Sequence, residues 1–374
     1  MSKMSSLTAF VGAAVAFTLS AVLPAPAPAG AAGVPSPVRP GAYRMPKVPG
    51  NLPLSSRFYA VDQGTSTVDS FSGTSYLMSI TSSLNTPCCA IVGPYQFLHV
   101  LNLGTNQVTN YTPGTNTLNR VFGTGLQNPD PNQVIGIDGY VTIYVLDLGF
   151  GTNSSILEYP LTAVMGTPPA VTITFANPDR MAHRTFAVSK WGVLFAQTQS
   201  GNNGTYKIAV FKPGISTVDR YITLGNGVPS VMRVDPWTDS LYVADAVHNV
   251  VSVYPPGDSK PIRTVTAGIS APSGIFFRDY RAYVANAGNN TVTIYDNVGN
   301  LIRTLNVPAL GTNCPSAVVV NFNLQAYASC TGGNYTGVYE FDEGATTPTA
   351  FIPESYLSNS PAPMAVPFTV PHVP

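Results

Sequence analysis

From Arg57 to Phe368, apolar and polar residues alternate in short runs of five or six, and Gly, Pro, Asn or Asp bound each run. A period of two marks a half-buried strand, and the bounding residues are turn formers. The runs are ordered into a longer repeat. Leu241 to Phe277 and Ala282 to Val320 share one sequence of features. An aromatic-Val-Ala-Asp/Asn run is followed by a polar turn, a strand ending in Tyr, an Arg-Thr strand and a Pro-led apolar segment. Five looser copies open at Phe58–Asp62, Leu98–Asn102, Ile143–Asp147, Val193–Gln197 and Ala326–Cys330.

Seven copies at a spacing of about 40–50 residues predict an all-β fold, a β-propeller of seven four-stranded blades. From the channel outward, each blade would carry the Pro-led segment, the aromatic-Val-Ala strand, the Tyr-terminated strand and the Arg-Thr strand. The first copy has no Pro-led strand before it, whereas Ala362–Phe368 is an apolar stretch left over at the other end. Pairing the two would close the ring with a C-terminal strand and leave no sheet edge open. Insertions in the third and fourth copies keep six or eight blades as alternatives. A β-helix or a pair of sandwiches fits the period less well.

Composition agrees with short strands and many turns: Gly, Pro, Asn, Thr and Tyr are plentiful, while charged residues make up 10% and cancel to zero. With no basic stripe to neutralise phosphates, nucleic acid is not an expected partner. The N-terminus has the order of a secretory signal: Lys3, the apolar run Leu7–Leu23, then Ala-x-Ala patterns at Ala25–Ala27 and Ala29–Ala31. The expected division is a signal peptide (1–31), a Pro-rich linker (32–56), the propeller (57–370) and a tail (371–374). A retained membrane anchor with a Pro/Ala/Gly stalk is the alternative. Cleavage would leave no transmembrane span and a secreted or cell-surface protein, expected to be a monomer. Asn-x-Ser/Thr sequons at Asn110, Asn153, Asn203, Asn289 and Asn334 matter only in a host that glycosylates exported chains.

Ala282-Tyr283-Val284-Ala285-Asn286-Ala287-Gly288-Asn289-Asn290-Thr291-Val292 resembles the YVTN-type propeller repeat, and Val228-Pro229 through Asp245 resembles the related NHL repeat. The resemblance is good in two copies and loose in five. It implies a propeller, usually exported, and no single activity, because propellers host binding, scaffolding and enzymes alike.

Three features are candidates for chemistry. Asp62, Asn102, Asp147, Gln197, Asp245, Asn286 and Cys330 recur at the end of the second strand. They would form either a ring of oxygen donors for a divalent cation, with Asp62, Asp147, Asp245 and Asn286 as ligands, or side-chain caps of tight turns. Repetition in every copy favours the caps. The cysteines fit an oxidising compartment. A hairpin of Pro315–Val320 against Gln325–Ser329, turning near Phe322, puts Cys314 directly opposite Cys330 and predicts a cross-strand disulfide. The adjacent Cys88-Cys89 pair, at the start of the second blade's innermost strand, would be a vicinal disulfide facing the channel or two separate small core residues. The third feature is the charge cluster Asp179, Arg180, His183 and Arg184 in the long connection before the fourth blade. Such loops shape binding faces, although a solvated loop is the simpler reading. The four histidines do not converge, and no nucleophile elbow, zinc-protease, Walker or Gly-x-Gly-x-x-Gly motif is present.

The expectation is an exported binding or scaffold propeller for an extracellular protein, glycan or cell-surface component, with Asp179, Arg180, His183, Arg184, Cys88 and Cys89 as ligand-binding candidates. No cofactor is expected unless the carboxylate ring holds a cation. A lactonase-like hydrolase or lyase with a channel metal is the enzymatic alternative, and an anchored surface protein the structural one.

Overall fold

The alternating runs bury one face of each sheet against the preceding blade and the other against the next. In a computed structural model, residues 57–353 and 364–365 are described, apart from 94, 131–134, 140–141, 150–152, 176–184, 201–204, 225–226, 309–313 and 331–336. Every regular element among them is a strand, and the strands form seven four-stranded antiparallel sheets. Numbered from the N-terminus, blades 2 to 7 place their four strands in chain order. Their innermost strands are Pro87–Val92, Ile135–Ile137, Phe186–Val188, Pro229–Val234, Pro272–Arg278 and Ala317–Val320.

Blade 1 is composite. Met364–Ala365 is its innermost strand, pairing Met364 with Ala60 and Ala365 with Tyr59 on Arg57–Asp62. Each innermost strand packs beside that of the next blade, and the seventh beside the first. The molecule is therefore a seven-bladed β-propeller closed by the C-terminal strand. The pairing covers the inner edge of Arg57–Asp62, which would otherwise stay open.

Among the described residues six apolar clusters seal the seams. One joins blades 2, 3 and 4 through Leu101, Tyr144, Leu157 and Ala196, and another joins blade 7 to blade 1 through Tyr327, Val338, Phe58 and Phe71. Tyr327 and Phe58 lie with ring centroids 4.2 Å apart across that closing seam. The aromatic residue ending each third strand belongs to this packing. In blades 2, 3 and 6 it is a Tyr whose hydroxyl also donates across a seam: Tyr111 to Ser82 O at 2.5 Å, Tyr159 to Thr124 O at 2.8 Å, and Tyr295 to Ala267 O at 2.5 Å. A buried phenol needs such a partner, which accounts for the Tyr that recurs in the repeat.

The disulfide Cys314–Cys330 is present, with its Cα atoms 4.4 Å apart. Its register differs from the expected one. Val319 pairs with Tyr327, two residues from the predicted opposition to Gln325, and the ladder ends at Ala317 and Ser329. An even slip keeps residues 314 and 330 on the same face of the sheet, whereas a slip of one would have separated them. Cys314 reaches Cys330 from beyond the ladder's end.

Candidate functional site

Each blade presents two kinds of connection, one on each rim. The first rim holds the end of the second strand and the entry to the innermost strand, and here lie the recurrent Asp and Asn residues, all buried. Asn286 Oδ1 accepts from Ser270 N at 3.2 Å, while its Nδ2 donates to Val284 O at 3.1 Å and Thr293 Oγ1 at 2.9 Å. Asn102 repeats this with Asn85 N, Val100 O and Thr109 Oγ1. Asp245 accepts from Val228 N, Val247 N and His248 N, and Asp147 from Gln127 N and Asn128 N. Asp62 accepts from Gly64 N and Thr65 N. Asn102, Asp147, Asp245 and Asn286 thereby hold the backbone that enters the innermost strand against the end of the second, while Asp62 caps the turn after its own strand. Their lone pairs are directed at amides, as Asx turns require. Among the described residues no cluster of three or more His, Cys, Asp or Glu has a geometry that would hold a metal ion.

Blade 7 replaces the clamp with a covalent bond. Pro315 and Cys330 occupy the positions of Pro272 and Asn286 in blade 6, so Cys314 and Cys330 tie the two backbone segments that Val228 N and Asp245 tie in blade 5.

The sequence-predicted candidates fare unevenly. Asp179, Arg180, His183 and Arg184 lie outside the described residues. Cys88 and Cys89 sit on the innermost strand of blade 2, but at 0% and 1% exposure they belong to the core between blades 2 and 3 and offer no open surface. His99 is buried beside Asn110, and burial pushes its pKa down to about 3, so it packs as a neutral ring. His248 caps its own turn through Asp245 at 2.7 Å.

The opposite rim holds the turns from innermost to second strand. Each of the six carries an aromatic residue: Tyr95, Tyr140, Trp191, Trp237, Tyr280 and Phe322. Tyr140 lies outside the described residues. Trp191, Tyr280 and Phe322 are 43%, 59% and 45% exposed. A capping side chain opens several of these turns and fixes the aromatic. Asp235 Oδ1 accepts from Trp237 N at 2.9 Å, and Ser189 Oγ from Trp191 N at 3.2 Å. Asn321 Oδ1 accepts from Asn323 N at 2.9 Å.

Contacts then run from turn to turn around the rim. Gly139 N of blade 3 donates to Lys190 O of blade 4 at 2.9 Å. Lys190 Nζ donates to Pro236 O and pairs with Asp239 at 3.3 Å, and Trp191 Nε1 donates to the same carboxylate at 2.8 Å. Trp237 and Tyr280 stack with centroids 5.0 Å apart. The Arg278 guanidinium lies 4.5 Å from the centre of the Phe322 ring while its Nε donates to Val320 O. Desolvation lowers the Arg278 pKa to about 10. Ion pairs on the rim join Lys190 to Asp239, and Arg281 to Asp279 and Glu343, while Arg278 meets a ring and a carbonyl. What faces outward is a row of fixed π surfaces separated by amides, hydroxyls and paired ions. Sequence reasoning passed over this row, although the signal was there: an aromatic residue two positions after Gly93, Asp138, Ser189, Asp235 and Arg278.

Neither a protein-family model nor a curated protein matches the sequence. The structure is similar to that of a functionally unknown protein from Desulfotomaculum acetoxidans DSM 771, with a TM-score of 0.61, 12% identity, and 84% of this chain covering 100% of that one. It is also similar to the WD40 β-propeller domain of Doa1, with a TM-score of 0.50, 14% identity, and coverage of 69% and 79%. At such identities the likeness is one of fold. It agrees with the propeller that the strand pairing shows.

Proposed function

We propose that this chain is an exported binding module, built on repeats of the YVTN/NHL type, that takes a neutral glycan across its aromatic rim. The observation that carries this reading is the row Trp191, Trp237, Tyr280 and Phe322, present on four consecutive blades and held by capped turns. A sugar ring has an apolar face whose C–H groups are electropositive, and the negative face of an aromatic ring complements it. Its hydroxyls need donors and acceptors between the rings, which Asp279, Asn323 and Thr238 supply at the surface. A charged polymer would find Lys190 and Arg281 already paired with carboxylates, and a protein partner of ordinary size favours a continuous apolar centre over separated rings. Export is supported by the signal-like N-terminus and by the buried disulfide, a bond that persists in oxidising compartments.

Trp191 and Trp237 are the two tryptophans of the chain, so emission excited selectively at tryptophan reports on this rim alone. Titration with soluble neutral polysaccharides, such as mannans, glucans and arabinogalactans, should shift or quench that emission saturably. Tyr280→Ala should weaken binding by about tenfold or more, in line with the loss of one stacking aromatic. An unchanged spectrum across the panel, or binding that Tyr280→Ala leaves intact, overturns the reading. N-terminal sequencing of exported material should find a start between Pro28 and Gly33, and an uncleaved N-terminus overturns the secreted form.

A further inference from the structure

The entry to the innermost strand repeats with one substitution that the aromatic rim does not explain. In blades 5 and 6 a β-bulge follows the leading proline, shifting the register between Pro229 and Val231 and between Pro272 and Gly274. The bulged residue is a serine that bonds twice. The one hydroxyl hydrogen of Ser230 is shared between Ala244 O at 3.2 Å and Pro272 O at 2.8 Å, and that of Ser273 between Ala285 O at 3.3 Å and Pro315 O at 2.6 Å. One bond stays in the blade and the other crosses to the next, so the serine latches the seam. Ser316 holds this position in blade 7 and bonds Ser329 O at 3.2 Å.

Blade 2 has the same bulge, between Pro87 and Cys89, and Cys88 is the bulged residue. Its sulfur comes no nearer than 3.9 Å to the neighbouring carbonyl, Asp130 O, which is a weak latch. The seam it faces is the irregular one. Pro129 bridges to Asp147 as Pro87 pairs with Asn102, but six residues lead from Pro129 to Ile135 where three lead from Pro87 to Ala90. The weakest latch therefore stands beside a three-residue insertion.

We propose that Cys88 and Cys89 are an oxidation site that closes to a vicinal disulfide within the bulge of blade 2, where the serine of blades 5 and 6 is missing. In a regular strand successive side chains point to opposite faces, so adjacent cysteines cannot meet. The bulge breaks that alternation at Cys88 and brings the two sulfurs to 2.7 Å, about 0.7 Å longer than a disulfide bond. No competing thiol is at hand in the chain, because Cys314 and Cys330 are bonded to each other.

The chemistry is a thiol–disulfide exchange with a small-molecule or enzyme disulfide of the export compartment. One cysteine thiolate attacks the oxidant's disulfide and displaces one thiolate. The second cysteine then attacks the first one's sulfur and displaces the other. Two electrons and two protons pass to the oxidant, which leaves as two thiols. Burial and the neighbouring thiol push the Cys88 pKa up, so the folded pair is a poor nucleophile. The exchange belongs to the chain before blade 2 packs on blade 3, and packing then shields the bond.

The test is thiol mapping on the full chain recovered from an oxidising compartment. The protein is denatured in iodoacetamide without reductant, digested with trypsin, and compared with a reduced sample. The fragment 58–120 contains both cysteines and no internal Lys or Arg. The proposal expects it unalkylated and lighter by two hydrogens than its reduced form, gaining two carbamidomethyl groups after reduction. Two alkylated cysteines before reduction, or a mixed disulfide to another thiol, overturns it. A Cys88→Ser variant supplies the second readout, since its serine should re-form the latch of blades 5 and 6. It should fold, display one alkylated cysteine at residue 89, and lose the reductant-dependent mass change in this fragment. If that change persists in the variant, the bond does not join residues 88 and 89, and the proposal fails.

Discussion

The two rims of this propeller are built from the same seven blades and do opposite things with their polar and aromatic residues. On the clamp rim, Asp62, Asn102, Asp147, Asp245 and Asn286 turn inward, are at most 6% exposed, and bond backbone amides. On the aromatic rim, Trp191, Tyr280 and Phe322 remain open while smaller capping residues shape the turns beneath them. One rim is where the fold is held, and the other is where a ligand would meet it. Symmetry alone does not separate such roles, since both sets recur blade after blade. Burial does.

The sharpest way to break this contrast is at the covalent clamp. Replacing both Cys314 and Cys330 by Ser should lower stability by about 3 kcal/mol, the loop-closure contribution of a disulfide spanning 16 residues. Thermal or urea unfolding under non-reducing conditions measures it. The blade 5 pair, introduced as Cys314→Val with Cys330→Asp, should return about 1 kcal/mol of that loss if the hydrogen-bonded and covalent clamps serve the same end. A graft no better than the double serine would show that the equivalence is one of position and not of role.

Next in size is the paired comparison of one clamp residue with one rim residue of the same blade. Asn286→Ala removes the acceptor of Ser270 N and leaves polar groups buried without their partner, at a cost of roughly 2–3 kcal/mol. Tyr280→Ala gives up the stacking on Trp237 and should cost no more than about 1 kcal/mol. In the glycan titration the order should reverse, Tyr280→Ala being defective and Asn286→Ala close to the parent in affinity. Equal effects of the two variants on binding would remove the division of labour between the rims.

The propeller was legible in the sequence because each blade repeats a period-two pattern and a Pro-led entry, and because Ala362–Phe368 had no other blade to join. The clamps were half legible. Asp and Asn at a strand end declare turn chemistry, but the residues they reach, Ser270 N or Val228 N, lie about sixteen positions back across a hairpin. The aromatic rim escaped because a Trp or Tyr in a short turn has the same letter as one in a core. Only the fold sets Trp191, Trp237, Tyr280 and Phe322 on one edge. The Cys314 register was off by two residues because a hairpin's turn length cannot be counted to that accuracy from Asn-Phe-Asn-Leu alone.

Beneath the aromatic rim, blade 3 buries a carboxylate that makes the comparison depend on pH. Glu158 is 4% exposed, and its pKa is raised to about 7, first by desolvation and then by Asp138. Asp138 is itself the cap of a rim turn, accepting from Thr142 N at 2.8 Å and Tyr144 Oη at 3.1 Å. The folded pKa lies above the unfolded one of about 4.5, so the stability that protonated Glu158 contributes is complete below pH 4.5 and is lost as pH rises through 7. Glu158→Gln should therefore raise stability by roughly 1–3 kcal/mol at pH 8 and change it little at pH 4.5. Melting curves at both values provide the check. A Gln variant equally stabilised at both would mean that the charge of Glu158 is not what burial penalises.

The smallest effect, and the most selective, is expected at Trp191. Its indole does two things: the ring is partly exposed on the rim with Lys190 Nζ over it, and Nε1 donates to Asp239, which also holds Lys190. Trp191→Phe keeps a ring and removes the donor, so Asp239 loses one of two partners and stability falls by about 0.5–1 kcal/mol. Because desolvation already raises the Asp239 pKa against the pull of Trp191 and Lys190, losing the indole donor should raise it further. The tryptophan emission of the variant then belongs to Trp237 alone, one blade away and stacked on Tyr280. If the ligand lies across several blades, Trp237 emission still responds to polysaccharide in Trp191→Phe, with affinity reduced only a few-fold. If the response vanishes with the indole of residue 191, the site is confined to blade 4, and the rim's repetition is architecture and not recognition.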